Sequence, residues 1–318
     1  MNLKEMLGPW PEPPAILVTG PSGSGKTVDD MKCFPTHMRS AQLPGGTRGW
    51  IRVLGLPVEQ LKTQNLKDLD HGRQYIAFLR QRNQEVMAGK RPPTDLVVSL
   101  IVDDLSLLAQ AQFRKLRGAI ERSNNFQFFE ELRISIQQFA ADCRNAGLFL
   151  VANAHLSPPG TMSDGQWYPG GPSMPIAKLI PVAPHIFDTS IYVGSSIEER
   201  KPWGNVYYNY GPGGDYVSKD RHHVVRNPSP MNLRELLTSV GYKLPRAPGL
   251  DWQDRVAEEV AGRLQAGANF LTLWDGRMAK LKEKSATPQH VLHWRWALED
   301  GRDRFEIRQA NEAALYAL

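Results

Sequence analysis

Three short, unbroken apolar runs stand out among longer stretches in which apolar residues recur at helical spacing. They are Ala15-Ile16-Leu17-Val18, the segment LVVSLIVDD from Leu96 to Asp104, and Leu148-Phe149-Leu150-Val151-Ala152. Runs of this length, bounded by turn residues, predict strands covered on both faces, as in a parallel sheet. A further strand is predicted at WIRVL, residues 50–54, after a loop over 39–48 that contains Gly45-Gly46. Helices are predicted over 28–33, where Phe34-Pro35 stops the first of them, and over Gly72–Met87, Ser106–Arg117 and Phe126–Asn145. In the last of these Phe128, Phe129, Leu132, Ile136, Phe139 and Cys143 share one face, and Gly147 terminates it. Asp29 and Asp30 sit awkwardly in a short helix interior. Strand and helix alternate, which implies an α/β fold with a mainly parallel sheet flanked by helices.

The pattern then changes. Residues 157–175, SPPGTMSDGQWYPGGPSMP, have no periodicity and read as a long loop. Its Trp167 and Tyr168 either stack on the bases of a single-stranded nucleic acid or pack on the protein itself. From Ile186 to Val225, alternating short apolar runs separated by Gly-Pro-Gly-Gly and Glu-rich turns predict an added antiparallel hairpin region. Pro228, Pro230, Pro245 and Pro248 mark a linker carrying one helix over 232–240. Helical spacing at 252–264 and 290–298, the second introduced by Thr287-Pro288, predicts a small C-terminal helical module. The expected division is therefore a core over 1–228, a linker over 229–250 and a helical module over 251–318.

Composition narrows the picture. With 41% hydrophobic and 22% charged residues and no long apolar run, the 318-residue chain is expected to be soluble, and its first residues resemble neither a signal nor a transit peptide. The expectation is a cytoplasmic protein with no membrane partner. Cys33 and Cys143 have no zinc-ligand spacing and are expected as buried thiols. His290 and His293 lack further ligands nearby, and Trp294 and Trp296 are expected to pack. The net charge of +5 is uneven, with 28 Lys and Arg against 22 Asp and Glu in residues 1–250 and 10 against 11 in 251–318. That bias permits contact with an acidic polymer without requiring it.

The sharpest chemistry lies directly after the first strand. Gly20-Pro21-Ser22-Gly23-Ser24-Gly25-Lys26-Thr27 has the full spacing of a phosphate-binding loop, in which glycines let backbone amides curl round a polyphosphate at a helix start. Lys26 is expected to reach the β- and γ-phosphates and Thr27 to offer its hydroxyl to Mg²⁺. At the tip of the second run, Asp103 is expected to hold Mg²⁺ through water. Asp104 either polarises an attacking water or caps the next helix. Glu59 is the rival base, or else a surface helix residue. His155, directly after the third run, either senses a γ-phosphate or bonds a nearby backbone group, and Asn153 is a weaker candidate for the same task.

On this loop, Asp103, the strand ending in Asn153 and His155, and the stretch leading to Lys219-Asp220-Arg221, the chain resembles the RecA-like P-loop NTPases. It is most similar to the compact ATPases of bacteriophage genomes associated with single-strand annealing and recombination. The resemblance covers residues 12–226 or so. It implies a RecA-like ATPase using ATP and Mg²⁺, assembled as a ring or filament, acting on DNA, single-stranded by preference, in the host cytoplasm. It also implies that Lys219 and Arg221 reach a neighbouring subunit's γ-phosphate; on the residues alone they read as a solvated hairpin end. The family's acidic residue after the second strand is absent from WIRVLGLP, which leaves the base open. A nucleotide-dependent scaffold with little turnover, and a packaging or helicase-loading motor, are the alternatives.

Overall fold

The computed structural model describes residues 3–34, 38–42, 63–119, 125–161, 165–195, 205–208, 216, 219–221, 225, 228–244, 246 and 249–315. In chain order the elements begin α1 (Leu3–Leu7), β1 (Ala15–Gly20), α2 (Lys26–Cys33), β2 (Met38–Gln42), β3 (Thr63–Gln64), α3 (Leu69–Met87) and β4 (Ser99–Asp103). Next come α4 (Leu105–Ala119), α5 (Asn125–Asn145), β5 (Phe149–Ser157), β6 (Gly160–Thr161), β7 (Trp167–Tyr168), β8 (Gly171–Pro172), α6 (Ala183–Ile186) and β9 (Thr189–Ser195). The chain continues through β10 (Asn205–Tyr208), β11 (Lys219–Asp220), β12 (Ser229–Pro230), α7 (Leu233–Ser239), α8 (Trp252–Gln265), α9 (Phe270–Glu283) and α10 (Pro288–Leu315).

The sheet order is β12-β10-β9-β1-β5-β4-β2-β3, with β11 also paired to β9 and β8 to the end of β5. From β9 to β3 every pairing is parallel. The antiparallel additions are β8, β10, β11 and β12. The run beginning at Ile186 was expected among the antiparallel strands; instead β9 lies parallel to β1 on one side and antiparallel to β10 and β11 on the other. The predicted strand at 50–54 and Glu59 lie outside the described residues.

Period-two alternation explains why a run such as Ala15-Ile16-Leu17-Val18 is apolar throughout. Ala15 and Leu17 face one core, shared with Leu100, Val102, Leu150 and Ala152 and covered by α3, α4 and α5. Ile16 and Val18 face the other, with Ile101, Phe149, Val151 and Ile191, covered by α2, α7 and part of α10. The two cysteines are buried, as expected, one in each core. Among the described residues no helix is long and apolar enough to cross a membrane.

Of the C-terminal helices, α10 packs on this second face, and α8, α9 and α10 pack on each other. Trp296 and Ile307 of α10 belong to the same core as Met31 and Phe34. A separate small cluster of Val260, Leu264 and Leu298 with Phe270, Leu273 and Trp274 ties α8, α9 and α10 together. The helix α9 had no sequence signal strong enough to predict it, although Asn269 caps it by accepting from the Thr272 amide. The helix predicted over 290–298 runs on to Leu315. Its continuation escapes a periodicity test because several inward positions are charged: Asp300 and Asp303 are buried, and Arg304 is mostly so.

These charges form one network between α2, α7 and α10. Lys32 Nζ lies 3.5 Å from both Glu299 Oε2 and Asp300 Oδ1. Asn232 Nδ2 donates to Asp300 Oδ1 at 2.8 Å and Asp303 Oδ2 at 3.0 Å, while Arg246 meets Asp300 Oδ2 at 2.8 Å. Arg304 donates to Glu235 through Nε and Nη2 at 2.9 and 3.0 Å. Burial pulls the Lys32 ammonium down, but the Asp300 and Glu299 carboxylates outweigh it and hold the group above its ordinary range. Burial likewise opposes the Asp300 carboxylate, and Lys32 and Arg246 overcome it.

Removing one member of a buried network strands its partners. Asp300→Ala is expected to destabilise the protein by about 3–5 kcal/mol, whereas Arg308→Ala, at the solvent-facing pair with Glu258, costs under about 1 kcal/mol. Urea denaturation of both variants checks this; equal midpoints would contradict it.

Candidate functional site

Parallel pairing sets which residues meet at the carboxyl edge of the sheet. In the β1–β5 register Gly20 lies opposite His155, and in the β4–β5 register Val102 lies opposite Ala152, so the residues that follow each strand emerge together. The result is a cleft of about 530 Å³ lined by Ser22 to Val28, Met31, Asp103, Asp104 and His155. The volume falls in the range of small-molecule sites.

The loop from Gly20 to Thr27 forms one wall. Gly23 and Gly25 have φ of 76° and 86°, a region where an L side chain is strained, so the turn into α2 depends on glycine at both positions. The first helical bond runs from Asp29 N to Gly25 O at 3.1 Å, leaving the amides of the first turn as donors without a helical acceptor. Lys26 folds over the loop and donates to Gly20 O at 2.9 Å, Pro21 O at 2.8 Å and Ser24 Oγ at 3.4 Å. Burial pulls its ammonium below the ordinary lysine range, against the opposing carboxylates of Asp103, Asp104 and Asp30.

Opposite the loop, Thr27 Oγ1 donates to Asp103 Oδ2 at 2.7 Å. The hydroxyl and carboxylate singled out from the sequence are therefore direct neighbours, although 76 residues separate them. Asp104 does two things at once. Its Oδ1 accepts from the amides of Ser106 at 2.5 Å and Leu107 at 3.3 Å, which caps α4. Its Oδ2 lies 2.7 Å from His155 Nε2. Burial pushes the Asp104 carboxyl up, while His155 and the two amides pull it back.

Other expected members sit elsewhere. Asn153 is fully buried below the cleft and donates to Asp30 Oδ2 at 2.7 Å, so it supports α2 rather than facing a ligand. The two awkward helix aspartates are explained by the same packing: Asp29 Oδ2 accepts from Tyr207 Oη at 2.6 Å and from Leu233 N at 2.9 Å. Burial raises both carboxyls, Asp29 to about 6 and Asp30 well above the usual range.

Lys219 and Arg221 lie at the opposite edge of the sheet. Lys219 pairs with Ser190, itself beside Leu17, and Arg221 N bonds Asp188 O at the level of Ala15. At about 3.3 Å per residue they stand about 10–17 Å below Gly20. Lys219 Nζ donates to His185 O at 2.7 Å, and Arg221 lies 3.4 Å from Asp188. They do not join the cleft of their own chain.

Sequence reasoning missed Ser106 as part of the site. Its Oγ accepts the His155 amide at 3.1 Å, anchoring the strand end that carries the imidazole. A serine two residues after the paired aspartates was the only available signal.

Chemically, the wall offers an ammonium, first-turn amides, a hydroxyl and a carboxylate. Among the described residues no group of three His, Cys, Asp or Glu is arranged to hold a metal ion. A cation here would therefore take Thr27 Oγ1 and Asp103 with water and ligand oxygens, the sparse protein ligation typical of Mg²⁺ at phosphates. No protein-family model matches the chain, and no curated protein matches it.

Proposed function

We propose that the chain is an ATP-binding and ATP-hydrolysing protein with a RecA-like phosphate-loop core. The observation that carries this is the contact between Thr27 and Asp103 beneath a glycine loop whose lysine turns into the same cleft. In this reading Gly20, Pro21, Ser22, Gly23, Ser24 and Gly25 wrap the polyphosphate, and Lys26 exchanges its loop carbonyls for phosphate oxygens. Thr27 and Asp103 hold Mg²⁺, whose charge offsets that of the phosphates. His155, which lines the same cleft, is in this reading the residue that senses the terminal phosphate.

Hydrolysis then requires a water in line with the terminal phosphorus and cations around the charge that develops. Lys219 and Arg221, remote from their own cleft, supply such charge only to a neighbouring subunit, so their role depends on a ring or filament. For DNA, the supporting feature is the β6–β7 hairpin, which begins at Gly160, three residues after β5 ends at Ser157. Tyr168 folds over Gly160 within that hairpin and packs on the core, whereas Trp167 is 56% exposed. Trp167 is thus the residue offered to a base of single-stranded DNA, and its place in the hairpin that follows β5, the strand carrying His155, links polymer binding to the nucleotide.

Lys26→Ala is expected to weaken ATP binding by about 10–100-fold, the worth of a charge-assisted contact, measured with a fluorescent ATP analogue. Unchanged affinity in that variant contradicts the assignment. Single-stranded DNA is expected to raise turnover, with an apparent affinity that falls steeply as salt rises and drops about 5–100-fold further in Trp167→Ala. An unresponsive ATPase would favour the scaffold alternative. Lys219→Ala subunits mixed into wild-type assemblies are expected to depress hydrolysis by the remaining active sites; a rate that follows simple dilution rules out the role in trans.

A further inference from the structure

Resting on the ATPase reading, we infer that His155 takes the proton from the attacking water and that Asp104 is its positioning residue. Both carboxylates on the described cleft wall are already engaged. Asp103 accepts from Thr27, and Asp104 uses one oxygen for the α4 amides and the other for His155 Nε2. Asp104 thus has both oxygens committed, and Asp103 is the carboxylate assigned with Thr27 to Mg²⁺. The imidazole differs. Its Nε2 is held at 2.7 Å by an anionic oxygen, which fixes the hydrogen on that nitrogen. Its Nδ1 then carries a lone pair, and no described residue donates to it.

The ring is also well held. The His155 amide donates to Ser106 Oγ at 3.1 Å, and its carbonyl accepts from Ser173 N at 2.7 Å. Both contacts pin the backbone at the end of β5, opposite Gly20. The side chain remains 45% exposed, so water reaches it, while Asp104 behind it is 11% exposed. A buried carboxylate behind a half-exposed imidazole is the arrangement that orients a histidine base and stabilises its cation. Besides Asp104, the charged groups lining this cleft are Lys26 and Asp103.

In the step, the water oxygen bonds to the terminal phosphorus while the bond from that phosphorus to the bridging oxygen breaks, its electron pair leaving on the diphosphate. His155 Nδ1 receives the water proton and becomes an imidazolium facing Asp104. The proton later passes to the released phosphate or to solvent, restoring the neutral ring.

His155→Gln separates this role from mere contact with the phosphate, because glutamine still donates a hydrogen bond but has no basic nitrogen. ATP affinity is expected within about threefold of wild type, and the single-turnover hydrolysis rate is expected to fall by about 100-fold or more. Asp104→Asn keeps a side-chain oxygen for the helix cap but loses the anion, and its hydrolysis is also expected to fall with binding retained. A readout independent of turnover is ¹⁵N NMR of the ligand-free protein, in which His155 is expected as the Nε2–H tautomer, a preference lost in Asp104→Asn. Hydrolysis near the wild-type rate in His155→Gln, or a proton on Nδ1 in the wild-type protein, overturns this inference alone. No hydrolysis by the wild-type chain overturns the ATPase reading and this inference with it.

Discussion

The parallel register of β1, β5 and β4 is the constraint on which the cleft depends. Because Gly20 is level with His155, and Val102 with Ala152, the loop, the paired aspartates and the histidine all leave the sheet at one edge. A shift of one residue in either pairing would exchange the two faces of a strand and put its apolar side chains out of step with both cores. Packing on both faces thus enforces the alignment that brings Thr27 within 2.7 Å of Asp103. The same register sends Lys219 and Arg221 to the far edge, since β11 runs antiparallel beside the first residues of β9.

The helix that follows the glycine loop is held by polar groups as much as by apolar ones. Asp29 bonds Tyr207 and the start of α7, Asp30 bonds Asn153, and Lys32 faces Asp300 and Glu299 of α10. Buried charges of this kind are not efficient stabilisers compared with apolar packing, but they are demanding about geometry. Here they tie α2 to the sheet on one side and to the C-terminal helix on the other. The α10 helix therefore bears on the element that opens with Lys26, even though it lies far from the cleft in sequence.

Asp104 illustrates why a residue's role is set by its neighbours. Two readings were open, a helix cap and a water-polarising base, and the carboxylate in fact divides itself between the α4 amides and His155. Each oxygen follows from a different part of the chain: the cap from the helix that starts one residue later, the imidazole from a strand fifty residues away.

Local pattern alone determined the alternating strand and helix order, the glycine loop and the acidic strand tip. Each of these signals lies within a dozen residues and answers to backbone geometry or to burial on both faces. The polar strand β2, the helix α9 and most of α10 carried no such signal. A strand of Met, Arg, Ser, Ala and Gln shows no apolar run, and a helix whose inward positions include Asp300, Asp303 and Arg304 shows a broken apolar stripe. Only tertiary structure could decide that those charges neutralise one another in the interior, that Asn153 faces Asp30, and that His155 turns toward Asp104. Such pairings are energies between residues distant in the chain, and no window along the sequence contains both partners.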